Sequence, residues 1–234
     1  LGSFAEKSSN CCNDLFRYSY PHIALTPKPD TVTIAEARQK RITSLREKLP
    51  IRLYFHNDEP NPRSWDTLTT TDYAVSYRAY AALYPEYRQA WQTDTTGINR
   101  LNAFFADEVD NGFAQLNDFI ALLKQALDEG QHIELQVRGF ASPLAKSDYN
   151  KNLSLRRIES LILYLRTTEG GALTPYMDGP APSGGALRIV KLPYGKSRAD
   201  TKVSDRLDDL RHSVYSVGAA SERRIEIEQV MGTP

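Results

Sequence analysis

The chain has 234 residues, 41% of them hydrophobic and 25% charged, and its 29 basic residues balance its 29 acidic ones. This is the composition of a globular protein with room for one large domain, or for one domain and an appendage. The zero net charge leaves no electrostatic footprint for nucleic acid, and no apolar run approaches the ~20 residues a membrane helix needs.

Residues 1–30 read as irregular: Ser8, Ser9, Asn10, Asn13 and Asp14 favour turns, Pro21, Pro27 and Pro29 break long elements, and only Leu15 to Tyr20 suggests a short strand. The two cysteines, Cys11 and Cys12, are neighbours. Adjacent Cα atoms lie ~3.8 Å apart, below the ~4.4–6.8 Å of ordinary disulfides, so two reduced or buried thiols are expected. The four histidines are scattered without ligand spacing, so neither a metal nor another cofactor is expected. With no initiator Met and no signal-peptide pattern, the chain is expected to be a processed or truncated piece of a longer protein.

Thr31 to Thr33 is read as extended, and Ile34 to Leu49 as a charged helix or linker, so that residues 1–48 form an N-terminal extension. From Ile51 to His56 the chain alternates with period two, the mark of a half-buried strand, and Asn57 to Pro62 ends it. Residues 63–108 read as a helical insertion. Tyr73, Tyr77, Tyr80, Tyr84 and Tyr87, with Trp91 beyond, follow spacings of four and three, while Pro85 must bend or restart the helix. Such rings either offer a platform to a sugar or pack the insertion onto the domain with hydroxyls at the rim; packing is the favoured reading. Phe113, Leu116, Phe119, Ile120, Leu123 and Leu127 mark an amphipathic helix that stops near Gly130.

A second strand alternates through Ile133, Leu135 and Val137. A loop follows Gly139, and a long helix opens on Tyr149-Asn150 with Ser147 as its expected cap. In that helix Asn150, Ser154 and Arg157 fall within roughly 60° of one another, beside an apolar stripe of Ile158, Leu161, Ile162 and Leu165. A narrow polar ridge against a core in this way can form a small anion site. Residues 167–186, rich in Gly, Pro and Ser, read as a surface loop. Leu187 to Leu192 is a third strand, Asp205 to Tyr215 a short helix, and Ile225 and Ile227 mark the last strand. The order β-α-β-α-β-(α)-β predicts an α/β (α+β) two-layer sandwich over residues 49–234, with the helical insertion after the first strand.

Tyr149-Asn150-Lys151-Asn152-Leu153-Ser154-Leu155-Arg156-Arg157, ending in Tyr164-Leu165, resembles the central Y-N-x-x-L-S-x-x-R motif of OmpA-like C-terminal domains. Leu53-Tyr54-Phe55, Gly195-Lys196-Ser197-Arg198 and Glu222 to Ile227 are similar to that family's opening strand, its G-E-S turn and its closing N-R-R-V-E-I. Residues 1–30 faintly resemble the last strand of a β-propeller blade, which implies the remnant of an upstream domain. The resemblance implies a non-catalytic module of the cell envelope, periplasmic and associated with the outer membrane in the full-length protein. Its partner would be peptidoglycan, held without a covalent bond through the diaminopimelate of the stem peptide. Arg157 aligns with the family arginine that takes the ligand carboxylate, and Asn150 with its supporting asparagine; Arg223 and Arg224 are expected nearby. The family aspartate that takes the ligand ammonium is Ser142 here.

That substitution leaves three outcomes: Asp58 or Glu59 supplies the missing charge, the site takes a different acidic or amidated peptide, or the domain is a structural or protein-interaction scaffold without ligand binding. No Ser-His-Asp or Cys-His order, phosphate-cradling glycine loop or zinc spacing suggests an enzyme.

Overall fold

The computed structural model describes residues 31–233. The short strand expected at Leu15 to Tyr20, the Cys11-Cys12 pair and the propeller-like segment lie outside the described residues.

Helix α1 (Thr31–Glu47) leads into strand β1 (Ile51–Tyr54), so Thr31 to Thr33 begin a helix rather than an extended run. Three short helices follow, α2 (Tyr73–Ala82), α3 (Tyr84–Ala90) and α4 (Thr95–Ala103). Asp72 and Asp94 cap α2 and α4 by accepting from the amides of Val75 and Gly97, and Pro85 sits in the first turn of α3, where its missing N–H costs nothing. From α4 the chain continues through a π-helical segment, Phe104–Asp110, into α5 (Asn111–Asp128). The boundary expected at residue 108 therefore falls inside continuous helix. Strand β2 (His132–Phe140), helix α6 (Ser147–Thr167), a one-turn helix α7 (Thr174–Met177) and strand β3 (Ala186–Gly195) come next. Two short helices, α8 (Leu210–Ser213) and α9 (Val217–Glu222), precede strand β4 (Arg224–Thr233).

The four strands form one mixed sheet in the order β1-β4-β2-β3, antiparallel except for the parallel β2–β3 pair. Helices layer one face. Ile51, Leu53, Ile133, Leu135, Val137, Ile225 and Ile227 point there and meet Leu116, Phe119, Leu123, Leu127, Ile158, Leu161 and Leu165 from α5 and α6. Ion pairs lace the other face: Arg52 and Arg224 with Glu226, Arg138 with Glu228, and Arg188 with Glu134. Period-two alternation thus separates an apolar, covered face from a charged one.

Two departures from the sequence reading share a cause. The region 167–186 is not merely surface loop, because Leu173 and Tyr176 enter the main core. Asp205 to Tyr215 is not one helix, since only Leu210–Ser213 is helical there. Neither segment has enough periodic length to announce its burial.

The tyrosine stripe packs rather than displays. Tyr80 and Tyr87 build a second aromatic cluster with Tyr54, Leu101, Phe104, Phe105 and Val109, while Tyr73 joins the main core. The half-buried rings keep their hydroxyls at the rim, Tyr77 on Asp110 and Tyr84 on Asn102.

Candidate functional site at the start of helix α6

Gly139 near the end of β2 lets α6 press directly on the strand. A Cβ there would lie 2.7 Å from the carbonyl oxygen of Ser154 and 3.0 Å from its Cβ. Gly195, ending β3 with φ 57°, meets the same helix: a Cβ would stand 3.0 Å from the amide nitrogen of Lys151. These close approaches set the polar ridge of α6 against the ends of β2 and β3.

Asn150 and Arg157 of α6 both bond the segment that follows β2, Asn150 at the Ser142 carbonyl and Arg157 at the Phe140 carbonyl. Asn150, buried, donates from Nδ2 to the carbonyls of Ser142 and Ala145, both at 3.1 Å, and so closes the loop after β2. Lys196 donates to the Ala145 carbonyl at 2.7 Å from the opposite side. Helix α6 begins at Ser147, with Lys146 as the flanking residue and no side-chain cap, so Ser147 is not the cap.

Arg157 has no measurable exposure. Its Nε donates to the Glu59 carbonyl at 2.9 Å, Nη1 to the Phe140 carbonyl at 2.8 Å and Nη2 to the His56 carbonyl at 3.2 Å. The guanidinium lies 5.3 Å from the centre of the Phe55 ring. Its fork points inward, onto the main chain, and not outward as taking a ligand carboxylate from solvent would require. Among the described residues it forms no ion pair, and Glu134 pairs with Arg188 instead. Burial, reinforced by the nearby Arg223, pushes its pKa down to about 9, still a cation at neutral pH. Asp58 opposes that shift and is thus the acid that its charge senses first.

Asp58 lies in the loop after β1. Its carboxylate accepts from the Tyr149 hydroxyl and from the Arg63 amide. Burial and Asp58 itself push the carboxyl of neighbouring Glu59 up from its ordinary range.

The other two arginines divide. Arg223 is wholly buried, donating to the Val214 carbonyl at 2.7 Å and to the Tyr87 hydroxyl at 3.0 Å, with Nε unpartnered. Tyr87 also meets His56 Nδ1 at 3.0 Å. Burial, then Arg223 and Arg157, lower the His56 pKa to about 4, so this imidazole is neutral at pH 7. Arg224 is half-buried, lies 4.5 Å from the centre of the Phe140 ring and pairs with Glu226 at 2.8 Å. It lies on the ion-paired side of the sheet.

The sequence reading missed Arg156. This side chain is also wholly buried: Nε donates to the Pro60 carbonyl at 3.1 Å, and Nη1 to the carbonyls of Ser64 and Asp66 at 2.6 and 2.8 Å. Its signal was the Arg-Arg pair itself. Neighbours on a helix lie ~100° apart, so two buried arginines in succession need polar surroundings on two faces. Among the described residues no three His, Cys, Asp or Glu side chains gather as a metal site, and no helix is long and apolar enough to cross a membrane. Compared with known proteins, the chain matches no family model, no curated protein and no solved structure.

Proposed function

We propose that this chain is a non-catalytic cell-envelope module of OmpA-like architecture that binds the stem peptide of peptidoglycan where the loops 57–66 and 141–146 meet the start of α6. One observation carries the reading. Arg157 is a buried cation whose hydrogen-bond partners are all neutral carbonyls. It is satisfied in geometry but not in charge, and a carboxylate adds the opposite charge and a bidentate fork that a neutral carbonyl lacks. A ligand carboxylate that reaches this cation neutralises it, and the carbonyl it displaces must turn to water or another donor. In this reading Asp58, whose carboxylate accepts from Tyr149, takes the ligand ammonium in place of the family aspartate.

The test is calorimetric titration with a stem peptide ending in diaminopimelate. Wild type gives saturable heat. Asp58→Asn weakens binding roughly 30-fold or more, the cost of removing one partner from a desolvated charge pair. Absence of heat with wild type rejects the reading.

A second reading has its own support in the complete burial of Arg157. In it the guanidinium is only a brace, and the domain is a structural or protein-interaction scaffold. Binding by Ser142→Asp but not by wild type favours the scaffold; binding by wild type excludes it.

A further inference from the structure

We propose that Trp65, with Tyr149 beside it, is a stacking platform for a saccharide ring; this site does not depend on the peptide reading above. Trp65 is 59% exposed and is the one aromatic among the large hydrophobic side chains exposed in the described residues. The Tyr149 ring stands edge-on to it, with centroids 5.2 Å apart and planes at 83°.

The loop that carries this indole is held from beneath with unusual thoroughness. Consecutive carbonyls of Ser64, Trp65 and Asp66 accept from Arg156, Asn152 and Arg156 again. Further back the Pro60 carbonyl accepts from Arg156 and the Glu59 carbonyl from Arg157. Asp58, Asn61 and Arg63 all adopt left-handed backbone, with φ of 59°, 57° and 63°. Non-glycine residues in that region cost on the order of 1 kcal/mol each and concentrate where a loop must hold a set shape for a ligand. A solvated connection needs no such reinforcement. An indole displayed on a rigid loop binds with little further loss of side-chain freedom.

The chemistry around the ring selects the partner. The indole face is electron-rich and attracts the weakly positive C–H face of a pyranose. Hydroxyls at the edge of such a sugar need acceptors. Asp66, the next residue, carries an exposed carboxylate that already accepts the Ser64 hydroxyl at 2.9 Å, and Asp58 accepts the hydroxyl of Tyr149. The same acids repel an anionic membrane, and one indole with the exposed Leu68 three residues on falls short of the apolar area of a stable protein interface.

The test follows the two indole N–H resonances, of Trp65 and Trp91, in ¹⁵N-labelled full chain titrated with chitotetraose, a glycan that carries no peptide. Trp91 is the internal reference, because its indole N–H donates to the Tyr215 carbonyl at 3.0 Å. The Trp65 signal, assigned by its loss in Trp65→Phe, shifts saturably while the Trp91 signal stays. Trp65→Ala weakens binding roughly tenfold or more, on the scale of a central aromatic anchor, and Trp65→Phe retains most of it. An unchanged amide spectrum shows that each variant folds. No shift at millimolar chitotetraose overturns the proposal, as does a Trp65→Ala variant that binds as tightly as wild type. A shift seen only with anionic phospholipid vesicles assigns the ring to membranes and overturns it equally. Glycan binding without stem-peptide binding leaves this platform standing and removes the peptide site; the converse removes the platform alone.

Discussion

Replacing Arg157 by alanine removes one side chain that ties three stretches of main chain together. The carbonyls of His56 and Glu59 belong to the loop after β1, and that of Phe140 to the end of β2. Each buried acceptor left without a donor costs about 1–3 kcal/mol. Phe140 is buried and belongs at the upper end; His56 and Glu59 are half-buried and belong at the lower end, where water replaces part of the loss. Removing a buried charge that has no acid partner recovers some desolvation. The net expectation is a loss of about 3–5 kcal/mol, a large share of the 5–15 kcal/mol typical of a whole domain. Urea unfolding followed by circular dichroism measures it, with Arg157→Lys as a companion. A lysine ammonium cannot fork across three carbonyls, so about half the loss remains. Hydrogen exchange should speed first at the amides of residues 56–66. A loss below about 1 kcal/mol for Arg157→Ala would refute the brace, since three orphaned carbonyls cannot cost so little.

Gly139→Ala should destabilise by about 1–3 kcal/mol in the same assay, because the new methyl meets Ser154 backbone at 2.7 Å and neither element yields easily. His56 makes stability depend on pH. Its pKa is lowered from 6.5 to about 4 in the fold, so the unfolded chain binds the extra proton between those values. Its contribution is complete above about pH 6.5 and is lost as pH falls toward 4, by at most about 3 kcal/mol; His56→Gln should flatten this part of a stability-against-pH curve. Tyr87→Phe removes the hydroxyl that Arg223 and His56 share and should cost about 1–3 kcal/mol in urea unfolding. Asp58→Asn, by contrast, should lower thermal stability little, because Asp58 is half-buried and an amide oxygen still accepts from Tyr149. An unaltered melting temperature with lost peptide binding would separate its ligand role from a structural one.

Periodicity is a local property, and wherever an element was long and periodic it was legible from the chain. The amphipathic helix of Phe113 to Leu127, the alternation of Ile133, Leu135 and Val137, and the helix of Asn150 to Leu165 all stand near where their side-chain pattern puts them. The ridge of Asn150, Ser154 and Arg157 is buried on α6 beside its apolar stripe, because helical spacing alone sets the three on one face. The direction in which Arg157 points was not legible. A guanidinium takes its orientation from acceptors, and two of its three are carbonyls of residues 98 and 101 positions earlier in the chain. No side-chain pattern encodes a carbonyl. The same holds for Arg156, for the shared hydroxyl of Tyr87 and for the burial of Leu173 and Tyr176. What the sequence by itself determined was the long periodic elements and the one face of α6 that carries polar groups. Only the tertiary structure decided that the loop after β1 folds over that face and takes up both arginines, because long-range main-chain hydrogen bonds exist only once the chain has closed.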